Sequence, residues 1–194
     1  ASAPCHVSRI SYTGDLGYEI WMAPHYERRV YDALKEAGAD LGLRDFGMRA
    51  LLCLRLEKNF GTWFREFRPI YGPYEADLGR FVALNKGDFI GREAAMREKE
   101  TGGTLRRVSF VVEANDADVI GDEPIWHDGK VVGWITSGGY GHHVDASLAQ
   151  GYLPKELAAL GADGAFEIEI IGERVKARII TEPLFDPRAE RMRM

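Results

Sequence analysis

The sequence predicts an α+β fold, a mixed helix–strand portion followed by a portion built from short strands. Three observations carry that expectation. Through about residue 100, runs with helical periodicity alternate with strand signals. Gly102–Gly103 then interrupts the chain as its best linker. Beyond it, β-rich runs of a few residues recur between Asp/Gly turns, the texture of a small barrel or sandwich.

In chain order, Val7 to Tyr12 and Tyr18 to Met22 read as strands around the turn Thr13-Gly14-Asp15-Leu16-Gly17, because glycines supply the turn and β-branched and aromatic residues flank it. Pro24 stops the second strand, and a helix follows over 25–38 with Val30, Ala33, Leu34 and Ala37 on one face and Gly38 as its stop. A second helix is predicted over 47–58. Residues 59–80 are irregular and aromatic, and Asp88-Phe89-Ile90-Gly91 leads into a charged helix over 91–100. Strands are then expected at 107–113, 130–137, 165–171 and 174–181, with a short helix opening at Pro154. Asp128-Gly129, between Ile125-Trp126 and Val131-Val132, is a hairpin signal.

Bulk properties narrow the function classes. The chain has 194 residues, enough for one large or two small domains, and is 45% hydrophobic and 28% charged. A formal net charge of −5 leaves no electrostatic footprint for nucleic acid. No apolar run approaches the roughly 18 residues that a membrane helix needs. Cys5 and Cys53 are too few and too far apart for a disulfide framework, which fits a reducing compartment and a cytoplasmic location. Five histidines show no ligand spacing, and His142–His143 would point to opposite strand faces, so no metal site is expected. Ala1 to His6 read as a cut or processed end.

Composition and period alone reveal no catalytic machine. Glu19 stands out as a carboxylate on a strand directly after a turn, suited to accept two N–H bonds from a flat heterocycle; the bland alternative is a solvent-facing position between Tyr18 and Ile20. Arg49, at the start of the second helix, and nearby Arg44 offer forks for a planar acceptor or carboxylate, or else a solvated helix face. Trp63-Phe64 and Tyr71…Tyr74 are loop aromatics that either stack on a ring or anchor the loop. Ser137-Gly138-Gly139-Tyr140-Gly141 lacks phosphate-loop spacing, so turn geometry or close backbone approach explains it better.

Together these segments carry a family likeness. Ser11-Tyr12-Thr13-Gly14-Asp15-Leu16-Gly17-Tyr18-Glu19-Ile20 resembles the Y-T-G-E-x-G-[FYW]-E signature of the aminomethyltransferase family, which includes the glycine cleavage T-protein and the folate-binding halves of dimethylglycine and sarcosine dehydrogenases. Gly47-Met48-Arg49-Ala50 through Leu54-Arg55-Leu56-Glu57-Lys58 resembles its "R…LRLE" helix. Trp63-Phe64-Arg65-Glu66, Asp88 to Ala94, Thr136 to Gly141 and Leu148 to Pro154 are similar to the dehydrogenase branch.

The resemblance implies a partial ferredoxin-like, folate-binding α+β domain over 1–101 and a small antiparallel β-barrel over 102–194. It implies that Glu19 binds the pterin of tetrahydrofolate and that an arginine of the "LRLE" helix lines the same site. The T-protein arginine falls at Leu51 by simple counting, whereas Arg49 matches the dehydrogenase branch, with Arg44 as fallback. Tyr12 and Trp63 are candidates for the cavity wall, and Arg188 for the folate's tail. The dehydrogenase branch implies an N-methyl amine substrate and FAD in an upstream domain or subunit. The family's key aspartate lies well before the Y-T-G motif, so this chain is expected to hold no catalytic residue and to be inactive alone. A stand-alone aminomethyltransferase or demethylase and a non-catalytic folate-binding module are the alternatives.

Overall fold

The structure is a computed structural model that describes residues 3–194; Ala1 and Ser2, the start of the supposed processed end, lie outside the described residues. Two strands open it, β1 (Cys5–Ser8) and β2 (Glu19–Met22), paired antiparallel from Cys5↔Met22 to Ser8↔Glu19. The first strand therefore lies earlier than predicted, and a long connection replaces the expected tight turn. Local hydrogen bonding explains this: the Ser11 hydroxyl accepts the Gly14 N–H at 3.0 Å, and Tyr12 turns away to donate to the Gly61 carbonyl at 3.1 Å. Gly17 is crowded back onto the same loop, where an added Cβ would lie 2.7 Å from the Ile10 carbonyl.

Helix α1 (Glu27–Ala37) follows a 3-10 turn at Pro24–Tyr26 and ends at Gly38, close to expectation. Its predicted apolar face is only partly covered. Val30, Ala33 and Leu34 line a 340 Å³ groove with Val7 and Ile20, and Leu34 stays 47% exposed, because a two-stranded sheet offers little apolar surface. Helix α2 (Met48–Glu57) begins exposed and ends buried at Arg55, Leu56 and Glu57. Helix α3 (Arg92–Thr101) ends on Gly102 in the left-handed region, and Gly103 follows at φ +66°, with Glu75 filling the space a side chain would need.

The remaining strands are β3 (Leu105–Val112), β4 (Pro124–His127), β5 (Lys130–Gly141), β6 (Ala146–Pro154), β7 (Phe166–Ile170) and β8 (Glu173–Ile180), with the short helix α4 (Lys155–Ala158) after β6. They form a closed antiparallel barrel in the order β3-β6-β5-β4-β7-β8, sealed by Ser109↔Ile180 through Val112↔Ala177. Closure removes the free edges that a sandwich would retain. Phe110, Ile125, Ile135, Leu153, Ile168 and Phe166 fill the interior.

Strand β6 escaped the pattern reading because both of its faces are covered. Ala149 and Leu153 join the barrel core, whereas Gln150 and Tyr152 are buried on the outer side against the 59–67 segment. A strand covered twice does not alternate. The glycine-rich Ser137–Gly141 run is the far part of β5 rather than a turn. Gly138 is there for close backbone approach, since its Cβ would stand 2.5 Å from the Val119 carbonyl. No described helix is long and apolar enough to cross a membrane.

Candidate functional site

The segment joining α2 to the barrel carries Trp63, and a buried charge shapes it. Glu66 is fully buried, and its Oε2 accepts the Thr62 N–H at 2.7 Å, the Thr62 hydroxyl at 3.0 Å and Arg55 Nη1 at 3.3 Å. The Ser137 hydroxyl of β5 donates to its Oε1 at 2.6 Å. Burial alone would raise the carboxyl pKa, but Arg55 and the donated hydrogen bonds outweigh it and hold Glu66 below the usual carboxylate range. Arg55 also donates to the Phe60 carbonyl at 3.0 Å, and Gln150 Nε2 to the same oxygen at 3.3 Å. The loop 60–66 is thus clamped between α2 and the barrel. Gly61 is needed in it, because a Cβ would lie 2.6 Å from the Phe67 ring.

The clamp holds Tyr12 as well. Its hydroxyl bonds the Gly61 carbonyl, and its ring stacks on Phe60 with centroids 6.3 Å apart at 10°. Burial pushes the Tyr12 phenol above its ordinary value, so it remains a protonated donor at neutral pH. Trp63 projects from the same loop, 78% exposed, edge-on to Phe64 at 5.8 Å. Arg65 pairs with Asp122 at 3.0 Å and ties this loop to the one that precedes β4.

Glu19 is the first residue of β2 rather than a mid-strand residue, and neighbouring Tyr18 is 60% exposed rather than facing in. Glu19 is exposed and has no hydrogen-bond or ion-pair partner among the described residues, so both carboxylate oxygens are available to a ligand. It stands two residues after Gly17, which packs on Ser11 beside Tyr12. Arg49 is exposed in the first turn of α2, and Arg44 is exposed in the segment before it; neither has an ion-pair partner among the described residues. The structure therefore docks Tyr12, from the β1–β2 connection that leads to Glu19, on the clamped loop that carries Trp63, and leaves Arg49 and Arg44 as unengaged guanidinium groups. Arg188 is paired with Glu190 at 3.2 Å on the surface.

Sequence reasoning missed the Arg55–Glu66–Ser137–Gln150 network. The available signal was polar residues inside apolar runs, Arg55 between Leu54 and Leu56 and Gln150 within Leu148–Leu153. Among the described residues no group of three or more His, Cys, Asp or Glu side chains is disposed to hold a metal ion.

Comparison with known proteins gives this arrangement its context. Residues 1–86 match the GCVT N-terminal domain, and residues 106–186 match the glycine cleavage T-protein C-terminal barrel domain. The chain is 42% identical over 182 residues to the mitochondrial dimethylglycine dehydrogenase of Mus musculus, covering 93% of this chain and 21% of that protein. It is 36% identical over 177 residues to an aminomethyltransferase of Desulfitobacterium hafniense, covering 91% of this chain and 47% of that one. The chain thus spans about a fifth to a half of the length of these relatives. The crystal structure of the glycine cleavage system aminomethyltransferase T from Bartonella henselae shares the fold, with a TM-score of 0.83 at 23% identity over 93% of this chain and 50% of that one. The two domain matches together take in most of the chain, which belongs to the aminomethyltransferase (glycine cleavage T-protein) family.

Proposed function

We propose that this chain supplies pterin-holding side chains to a tetrahydrofolate-dependent one-carbon transfer in a protein that draws its carbon from an N-methyl amine. The observation that carries the reading is the ordered match to both domains of the family, with an unpartnered carboxylate, Glu19, at the signature position. Tetrahydrofolate, when bound, supplies the nitrogen nucleophile that takes up the one-carbon unit. Glu19 accepts two N–H bonds from the pterin's amino group and ring nitrogen. Tyr12 and Trp63 form part of the wall, and Arg49, with Arg44 as the alternative, meets an acceptor on the folate. The higher identity to a dimethylglycine dehydrogenase than to an aminomethyltransferase favours a flavin-linked amine oxidation feeding this site, with FAD in an upstream domain. An aminomethyltransferase without a flavin partner is the second reading, supported by the 36% identity.

The test is thermal unfolding of the full-length protein with and without tetrahydrofolate. A ligand at about 100 times its Kd stabilises by roughly 2.7 kcal/mol. Glu19→Ala is expected to abolish that gain while leaving the unliganded midpoint unchanged, because Glu19 is exposed. No stabilisation of the wild type removes folate from the account.

A further inference from the structure

A cavity of 730 Å³ lies between the end of α2, the 77–80 segment, β3, β8 and the C-terminal tail, and none of Glu19, Arg49, Arg44 or Trp63 lines it. Its wall carries five cations, Lys58, Arg80, Arg106, Arg107 and Lys155, against one carboxylate, Asp77. In a chain of net charge −5 this is a local reversal of sign. The charges are incompletely matched from within. Asp186 pairs with Lys58 at 3.1 Å, and Asp77 lies 3.5 Å from Arg107. Arg106 and Lys155 donate to the carbonyls of Tyr74 and Thr101, which hold them in place without cancelling their charge. Arg80 is exposed, with its guanidinium 4.8 Å from the Phe81 ring centroid. Among the described residues Arg80, Arg106 and Lys155 have no carboxylate within ion-pair distance. A neighbouring 600 Å³ cavity shares Asp77, Arg80, Arg106 and Arg107 and adds Lys99.

Like charges gathered in a cleft raise its potential and repel one another unless a counter-charge arrives. The lining also includes the half-buried apolar side chains of Pro183 and Met192, whereas Val108 and Ile179 beside them belong to the barrel core. The volume falls within the roughly 300–1,000 Å³ of small-molecule sites. We propose that this cavity binds a small organic oligoanion, whose two or more phosphate or carboxylate groups meet Arg80, Arg106 and Lys155 while its body lies on Pro183 and Met192. None of Tyr12, Glu19, Arg44, Arg49 and Trp63 lines this cavity, although Phe60, on which Tyr12 stacks, does.

Titration calorimetry of the full-length protein at low ionic strength tests it, with inorganic pyrophosphate and with citrate as probes. At least one of the two is expected to bind; pyrophosphate the tighter marks a phosphate ligand, citrate the tighter a carboxylate one. Arg80 is exposed, so Arg80→Glu is expected to fold, which its unchanged melting midpoint checks. It is expected to weaken the tighter probe about tenfold or more, equivalent to about 1.4 kcal/mol, and Arg80→Gln less. Arg28→Glu, a charge reversal on exposed α1, leaves the affinity unchanged. The proposal fails if neither probe binds by about 5 mM, if Arg80→Glu binds as the wild type does, or if Arg28→Glu loses as much.

Discussion

Replacing Glu66 with Ala asks how strongly the buried clamp holds this part of the fold. Glu66 is fully buried, and the side chain of Arg55 is only 4% exposed. The substitution strands the Arg55 guanidinium without its counter-charge and leaves the Thr62 and Ser137 donors without their acceptor. Breaking a buried ion pair from one side costs about 3–5 kcal/mol, because the remaining charge is uncompensated. The orphaned donors would each cost about 1–3 kcal/mol alone, but they share the same cavity with Arg55 and do not simply add. A loss of about 3–5 kcal/mol follows; at an m-value near 3 kcal/mol/M it moves the urea midpoint down by about 1–1.7 M. Urea unfolding of wild type and variant, followed by tryptophan fluorescence, reads it. Removing both partners, as Arg55→Leu with Glu66→Met, is expected to restore at least half of the loss, because no charge is left buried. A shift below about 1 kcal/mol for Glu66→Ala, or a double variant no more stable than the single, would refute the view that an uncompensated charge is what hurts.

Three further outcomes follow from the same geometry. The Glu66 pKa is lower folded than unfolded, so its contribution to stability is present above the unfolded value of about 4.3 and is lost as pH falls through the folded value. Acid titration of the urea midpoint should therefore steepen below about pH 4.3 in the wild type and flatten in the Arg55→Leu, Glu66→Met variant. Gly138→Ala forces a Cβ to within 2.5 Å of the Val119 carbonyl, and an expected cost of about 1–3 kcal/mol would appear as a lower melting midpoint. Trp63→Ala is expected to weaken tetrahydrofolate binding, measured by fluorescence or calorimetry, with little change in stability, because the ring is 78% exposed.

Local chemistry was legible wherever it was decided locally. Gly38 stops α1, the Gly102–Gly103 break read as a linker falls at the end of α3, and Asp128-Gly129 turns β4 into β5, because each rests on a backbone preference of one or two residues. The β-barrel implied by the family resemblance is present, but pattern alone could not tell a barrel from a sandwich, because closure depends on β3 meeting β8 far along the chain and β6 showed no alternation. Of the candidate site, Tyr12 and Glu19 were singled out by motif, yet Tyr12 owes its position to Gly61, distant in sequence. Glu66 lay inside the quoted Trp63-Phe64-Arg65-Glu66 and went unremarked, since nothing local tells a carboxylate that bonds Thr62 and Ser137 from one that faces water.

That dependence on distant partners has a temporal side. The carboxylate that shapes the Trp63 loop takes a donor from residue 137, and the Phe60 carbonyl takes one from residue 150. A nascent chain that has emerged only to the end of α3 has made Trp63 and Tyr12 but not the groups that orient them. Glu66 and Arg55 must stay hydrated until β5 and β6 are translated and the barrel closes over them. The order of synthesis thus keeps the loop from completing its set of hydrogen bonds until residues 137 and 150 have emerged, although its local bonds from Thr62 and Arg55 to Glu66 need neither.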